Sequence, residues 1–223
     1  MRLYFSIAVL MSVAACNAQD KAVTVGLIGD STVAVQSGWG PAFAGRFNSH
    51  AKIVNYAKNG ATLQALSKKL DALVKLKPDY ILIQFGHNDQ KRYDTKVYTA
   101  HLQSYVERIR KAGGKPIIVS SVTRRTFDKN GKIVSTTSTK FKANLTHYAD
   151  AAEAFAKARD LPFIDLHTVS ISHHNSIGDE ASMTYNFKEG DKTHFNKKGA
   201  EAITDLILKE LTAVVPELAA YLK

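Results

Sequence analysis

Residues 23–35 read VTVGLIGDSTVAV, an apolar, β-branched run that stops at Gly29-Asp30-Ser31-Thr32. Val23, Val25, Leu27 and Ile28 suit a strand covered on both faces, because such side chains pack well on a pleated surface and parallel strands are buried above and below. Gly29 and the short polar residues after it break the run at the carboxyl end of the strand, where open α/β sheets hold their ligands. Two readings of the break follow. Asp30 or Ser31 caps the next helix, or Ser31 is pushed into the open for chemistry.

The rest of the chain repeats the pattern. Periodicity predicts helices over 38–48, opening near Pro41 with Phe43 and Phe47 on one face, and over 62–76, with Leu63, Leu66, Leu70 and Leu73 at helical spacing before Pro78. Further helices are expected over 98–111, closed by Gly113-Gly114, over 141–159 and over 197–211. Between them lie strands over 51–57, 80–85, 115–122 and 161–166; the 80–85 strand is apolar through most of its length and so central. Strict β-α alternation with helices too long for hairpins predicts an α/β fold. We expect a three-layer α/β/α sandwich around a five-stranded parallel sheet in flavodoxin-like order, since 223 residues are too few for an eight-unit barrel. No repeat or low-complexity linker divides the chain, so residues 19–223 are expected to form a single domain.

Residues 1–18 stand apart. Arg2 precedes an apolar run from Leu3 to Ala15, too short to span a bilayer and suited to an export signal. Val13-Ala14-Ala15-Cys16 resembles a bacterial lipobox, in which Cys16 would be lipidated; cleavage after Ala18, with Cys16 discarded, is the alternative. Both predict an exported protein of the periplasm, cell envelope or medium, and lipidation adds membrane attachment. Cys16 is the only cysteine, so the folded part holds no intramolecular disulfide. A formal net charge of +10 attracts polyanions. The basic residues are spread singly without a recognition motif, which argues against nucleic acid; for an exported protein an acidic polysaccharide is the more natural partner, and a solvated basic surface is the other reading.

A serine hydroxyl becomes nucleophilic when a base takes its proton and a third group orients that base. Gly190-Asp191-Lys192-Thr193-His194-Phe195 places a carboxylate three residues before an imidazole in a loop leading to the last helix, so Asp191 can hold one ring nitrogen while the other faces Ser31. Acyl transfer also needs donors for the developing oxyanion. Asn88, in Phe85-Gly86-His87-Asn88-Asp89, could present its side-chain amide, and Gly60, after the second strand, could bring a backbone N–H close. Ordinary turn roles would also explain each residue taken alone. His87 could position substrate or hold backbone, and Trp39 could stack on a sugar or sit in the core. His167, His173 and His174 form no familiar ligand set, and His173-His174 is expected in a surface loop.

Taken in order, GDST at 29–32, the glycine block at Gly60, GHND at 86–89 and DKTH at 191–194 resemble the four blocks of the SGNH or GDSL hydrolase family across nearly the whole chain after the leader. The resemblance implies Ser31 as nucleophile, His194 as base, Asp191 as its orienting group, an oxyanion hole of Ser31, Gly60 and Asn88, and no metal or cofactor. Gly38-Trp39-Gly40, FGHNDQ at 85–90, SSVTRRTFDKNGKIV at 120–134 and THFNKKGAE at 193–201 are most similar to rhamnogalacturonan acetylesterases. One departure is KNGATL at 58–63, where Ala61 and Thr62 stand at positions that usually carry Arg and Ser. That branch implies a serine esterase acting on an acetylated acidic polysaccharide, and a monomer is expected. The net positive charge and the place of Arg124 and Arg125 after the fourth strand suggest that they read its carboxylates, the other reading being that both are solvated or pair with Asp128. The alternatives are the same machinery on another acetylated glycan or a lipid ester, or a carbohydrate-binding protein without catalysis.

Overall fold

The computed structural model describes residues 21–135, 137 and 140–223. The expected leader over 1–18 and lipidation at Cys16 lie outside the described residues.

Five strands, β1 (Val23–Gly29), β2 (Ala51–Asn55), β3 (Tyr80–Gln84), β4 (Lys115–Val119) and β5 (Phe163–Ile164), form one sheet in the order β2-β1-β3-β4-β5. Every pairing is parallel; Leu27 lies between Asn55 and Leu82, and Leu82 is in turn opposite Ile117. This is the flavodoxin-like order expected from the β-α alternation. β3 is buried at all five positions and central.

Alternation along the strands divides the core. Val25, Leu27, Leu82, Ile117 and Val119 face one layer, where they meet Phe43 of α1 (Gly40–Gly45), Leu166 of α5 (Leu166–Met183) and Ile203, Ile207 and Leu211 of α6 (Lys197–Val214). Ile28, Ile81, Ile83 and Ile118 face the other, against Leu70 and Leu73 of α2 (Ser67–Val74), Leu102 and Val106 of α3 (Thr95–Lys111), and Tyr148 and Phe155 of α4 (Leu145–Lys157). Each fully buried aliphatic side chain contributes about 1.5–3 kcal/mol. A one-residue slip of any strand would exchange its two faces.

The helices begin where short polar side chains can take orphan N–H groups. Asp94 accepts from Val97 at the start of α3, Asn144 from His147 in a capping box at α4, and Asn196 from Gly199 at α6. The sequence boundaries shrink at most elements. α1 covers only six residues, and the 62–76 segment opens with a 3₁₀ turn at Gln64–Leu66 before α2. β5 is two residues long because Asp165 leaves the strand and caps α5 by accepting the Thr168 N–H at 3.1 Å.

α5 is the element that periodicity missed. It buries His167, Ser170, His174 and Ser182 beside Leu166, and these polar residues blur the apolar stripe; its path kinks at Gly178. His173 and His174 therefore belong to a helix rather than a surface loop. His174 Nδ1 meets Ser182 Oγ at 2.9 Å, tying α5 together across its kink, and His173 Nε2 meets Tyr185 Oη at 3.1 Å, packing α5 on the segment that follows it.

Candidate active site

Ser31 stands on the turn that ends β1. Asp30 continues the ladder by donating its N–H to Gln84 O at 3.3 Å, then turns the chain: its Oδ1 accepts from Thr32 N at 2.9 Å and Thr32 Oγ1 at 2.8 Å, while its carbonyl takes the N–H groups of Val33 and Ala34. Gly29 is required for this turn, since a Cβ there would lie 2.5 Å from Val33 Cγ2 and 2.6 Å from Gln84 O. Beneath the turn, Gln84 Nε2 donates to Thr32 Oγ1 at 2.6 Å and its Oε1 accepts from Trp39 Nε1 at 2.7 Å.

Trp39 is 0% exposed and T-stacked on Phe43, so it cannot stack on a sugar. Its role is to lock Gln84 and, through it, the serine turn.

The second half of the site comes from the loop between α5 and α6. Asp191 Oδ1 accepts the N–H groups of Thr193 and His194, both at 3.0 Å, which folds the loop so that the same carboxylate faces the His194 ring. His194 Nδ1 lies 2.9 Å from Asp191 Oδ2, and His194 Nε2 lies 2.8 Å from Ser31 Oγ. With the proton on Nδ1, Nε2 is the acceptor for the serine hydroxyl. Partial burial raises the Asp191 pKa, yet the His194 N–H, the His194 ring and the Thr193 N–H outweigh it and hold the carboxyl below its ordinary value. Asp191 thus stays a carboxylate at neutral pH. The loop is tied to the serine turn by the Phe195 N–H, which donates to Ser37 O at 2.9 Å.

Gly60 and Asn88 flank the opening of one cleft beyond the ends of β2 and β3. The Lys58 N–H donates to Gly29 O at 3.0 Å and draws this loop onto the end of β1; Gly60 follows at φ +74°, a conformation that other residues rarely adopt. Asn88 Nδ2 donates to Ala61 O at 3.1 Å, which leaves its second hydrogen free. No backbone carbonyl among the described residues takes the N–H of Ser31 or Gly60. The N–H groups of Ser31 and Gly60 and one amide hydrogen of Asn88 are thus left free to donate. Ala61 and Thr62, the departures from the family pattern, are both buried, and Thr62 Oγ1 accepts the Ala65 N–H, so each serves the loop rather than the surface.

The structure also separates the residues expected to touch substrate. Arg125 is 0% exposed: its Nε donates to Asn186 Oδ1 at 2.8 Å, its Nη2 to Asp191 O at 2.9 Å and His194 O at 2.5 Å, and its guanidinium lies over the Phe195 ring. It cannot read a polymer carboxylate; it staples the Asp191–His194 loop from below. Desolvation draws its pKa down to about 10 against the pull of Asp191. His87 is buried as well, with Nε2 donating to Val122 O at 2.9 Å and Nδ1 accepting from Arg124 Nε at 3.4 Å. Burial first, then Arg124, hold the ring neutral, and it positions Arg124 rather than touching substrate. Arg124 itself is half-buried and lines a small recess with Gln90, Thr123 and Val134.

Residues that sequence reasoning passed over lie directly behind the site. Asp30 and Asp89 are both fully buried, and the Oδ2 of each has no partner among the described residues. Asp89 Oδ1 accepts the Leu63 N–H at 3.1 Å. Burial, assisted by Asp30, pushes the Asp89 pKa up to about 7, and burial raises that of Asp30. The GDS and GHND strings contain both carboxylates, but nothing in them tells that both face inward.

Residues 27–202 match the model of the GDSL-like Lipase/Acylhydrolase family, and this span holds Ser31, Gly60, Asn88, Asp191 and His194. The chain belongs to that family. It is accordingly a carboxylic ester hydrolase of the SGNH/GDSL type. It is 36% identical over 213 residues to rhamnogalacturonan acetylesterase RhgT of Bacillus subtilis (strain 168), across 84% of this chain and 88% of RhgT. It is 28% identical over 200 residues to the probable rhamnogalacturonan acetylesterase YesY of the same organism, across 83% of this chain and 87% of YesY. Among solved structures, Bacillus subtilis YxiM superposes with a TM-score of 0.71 at 23% identity, covering 86% of this chain and 57% of that one. Axe2, an acetylxylan esterase from Geobacillus stearothermophilus, superposes with a TM-score of 0.64 at 16% identity, covering 86% and 94%. At these identities the two structures speak for the fold.

Proposed function

We propose that this esterase removes O-acetyl groups from an acidic pectic polysaccharide of the rhamnogalacturonan type by a serine mechanism. The observation that carries the mechanism is the unbroken line from Ser31 Oγ through His194 Nε2 and Nδ1 to Asp191 Oδ2, with links of 2.8 and 2.9 Å. Ser31 Oγ attacks the acetyl carbonyl carbon while His194 takes its proton, and Asp191 stabilises the imidazolium. The carbonyl oxygen becomes an anion that the N–H groups of Ser31 and Gly60 and the amide of Asn88 stabilise. Collapse breaks the ester bond, and the departing sugar oxygen takes the proton from His194. Water then attacks the acetyl-serine with His194 as base, releasing acetate and restoring Ser31.

Support for the substrate comes from the identity with RhgT across most of both chains and from the net charge of +10, which favours a polyanion. The apolar run and Cys16 near the amino terminus support export to the cell envelope, where such a polymer is met, with attachment through a lipidated Cys16, and we take the working unit to be a monomer. Acetate release from acetylated rhamnogalacturonan, acetylated xylan and p-nitrophenyl acetate tests the reading. We expect the pectic polymer to be deacetylated with the highest kcat/KM and Ser31→Ala to abolish release from all three. Faster release from xylan would overturn the substrate, and an active Ser31→Ala would overturn the mechanism.

A further inference from the structure

The cleft that opens at Gly60 and Asn88 has a volume of about 680 Å³, and its remaining walls are Lys91, Arg92, Tyr93 and Lys140. An acetyl methyl group needs a small apolar recess; this cleft is large enough for a sugar unit and ringed by cations. Among the described residues no acidic side chain lines it and none of the three cations is in an ion pair. Partial burial, then repulsion from Arg124 and Arg92, lowers the Lys91 pKa against the pull of Asp30. Neighbouring cations with no carboxylate paired to them repel one another, and an anion placed among them relieves that repulsion. Tyr93 supplies a fixed aromatic wall: its ring is T-stacked on His101 at 5.0 Å and its hydroxyl is bonded to Gln64.

We propose that this cleft is a uronate subsite, in which Lys91 and Arg92 bind the ring carboxylate of a galacturonate-type sugar adjoining the acetylated unit. The assignment rests on the acetylesterase reading of Ser31 and moves carboxylate recognition from the Arg124-Arg125 pair, half of which is buried, to the short segment that follows Asn88. Arg92 brings a planar fork that matches a carboxylate in two bonds, and Lys91 brings a compact charge. Because Asn88 lies close to both in sequence, a carboxylate held there fixes the polymer relative to the oxyanion donors.

The test separates binding from turnover. Trigalacturonate without acetyl groups is titrated calorimetrically into the wild-type protein, with neutral galactotriose as the comparison. We expect trigalacturonate to bind and galactotriose to bind at least tenfold more weakly, with trigalacturonate affinity falling steeply between about 20 and 200 mM salt. Lys91→Gln/Arg92→Gln should weaken trigalacturonate about tenfold, as expected when two exposed charges that face the ligand are removed together. The same change in net charge at Lys68 and Lys69 on the exposed side of α2 should leave affinity within about twofold. Equal binding of the two sugars, no binding of either, or equal effects of the two double variants overturns the subsite. Trigalacturonate binding at Lys91 and Arg92 without acetate release from any polymer would instead overturn the acetylesterase reading and leave the subsite standing.

Discussion

Replacing Asp89 by asparagine exchanges a buried carboxyl for an amide of the same shape and keeps an oxygen for the Leu63 N–H. Burial and the nearby Asp30 place the Asp89 pKa at about 7 in the folded protein, against an ordinary 3.8. The folded state therefore holds a proton that the unfolded chain gives up, and the associated stability is full below pH 3.8 and lost as the pH rises through about 7. The whole shift corresponds to about 4 kcal/mol, of which about 2.5 kcal/mol falls between pH 5 and pH 8. Asparagine has no proton to lose, so the stability of Asp89→Asn relative to wild type should climb by about 2.5 kcal/mol from pH 5 to pH 8. Buried His87, His167 and His174 titrate alike in both proteins and cancel in the difference. Urea unfolding followed by the fluorescence of Trp39, the only tryptophan, measures it at each pH. A difference that stays constant within about 0.5 kcal/mol from pH 5 to pH 8 would show Asp89 ionised throughout and refute the reasoning.

Three further outcomes follow from the site. Ser31→Ala and His194→Ala should each lower kcat by several orders of magnitude and the double variant little further, because nucleophile and base act as one unit; near-additive losses would contradict the relay. Asn88→Ala should lower kcat on p-nitrophenyl acetate by about 10² to 10³ with KM little changed, and a defect confined to KM would place Asn88 in binding instead. Arg125→Met leaves Asn186 Oδ1 and the Asp191 carbonyl unpaired in the interior and the His194 carbonyl with the Phe187 N–H alone, and should destabilise the protein by about 3–5 kcal/mol, with Arg125→Lys intermediate. A thermal melt of Arg125→Met matching wild type would remove the staple.

The fold and the heart of the site were legible in the sequence for local reasons. A strand covered on both faces must carry a continuous apolar run, so Val23 to Ile28 and Tyr80 to Phe85 announce themselves, and long helical segments between them leave a parallel sheet as the arrangement. Asp191 and His194 are three residues apart, so their bond is set by one turn of backbone. Tertiary structure alone decided which polar and aromatic residues face outward. Trp39 is sealed by Gln84, 45 residues away, His87 by Val122, 35 away, and Arg125 by Asp191 and His194, 66 and 69 away. α5 stayed hidden for the same reason, since polar His167, Ser170, His174 and Ser182 are buried on it beside Leu166, and His167 is held by Ser120 and Ser121 beyond β4. Local pattern reports what a residue prefers; exposure depends on what distant segments bring against it, and a histidine or arginine is as well satisfied by buried carbonyls as by water.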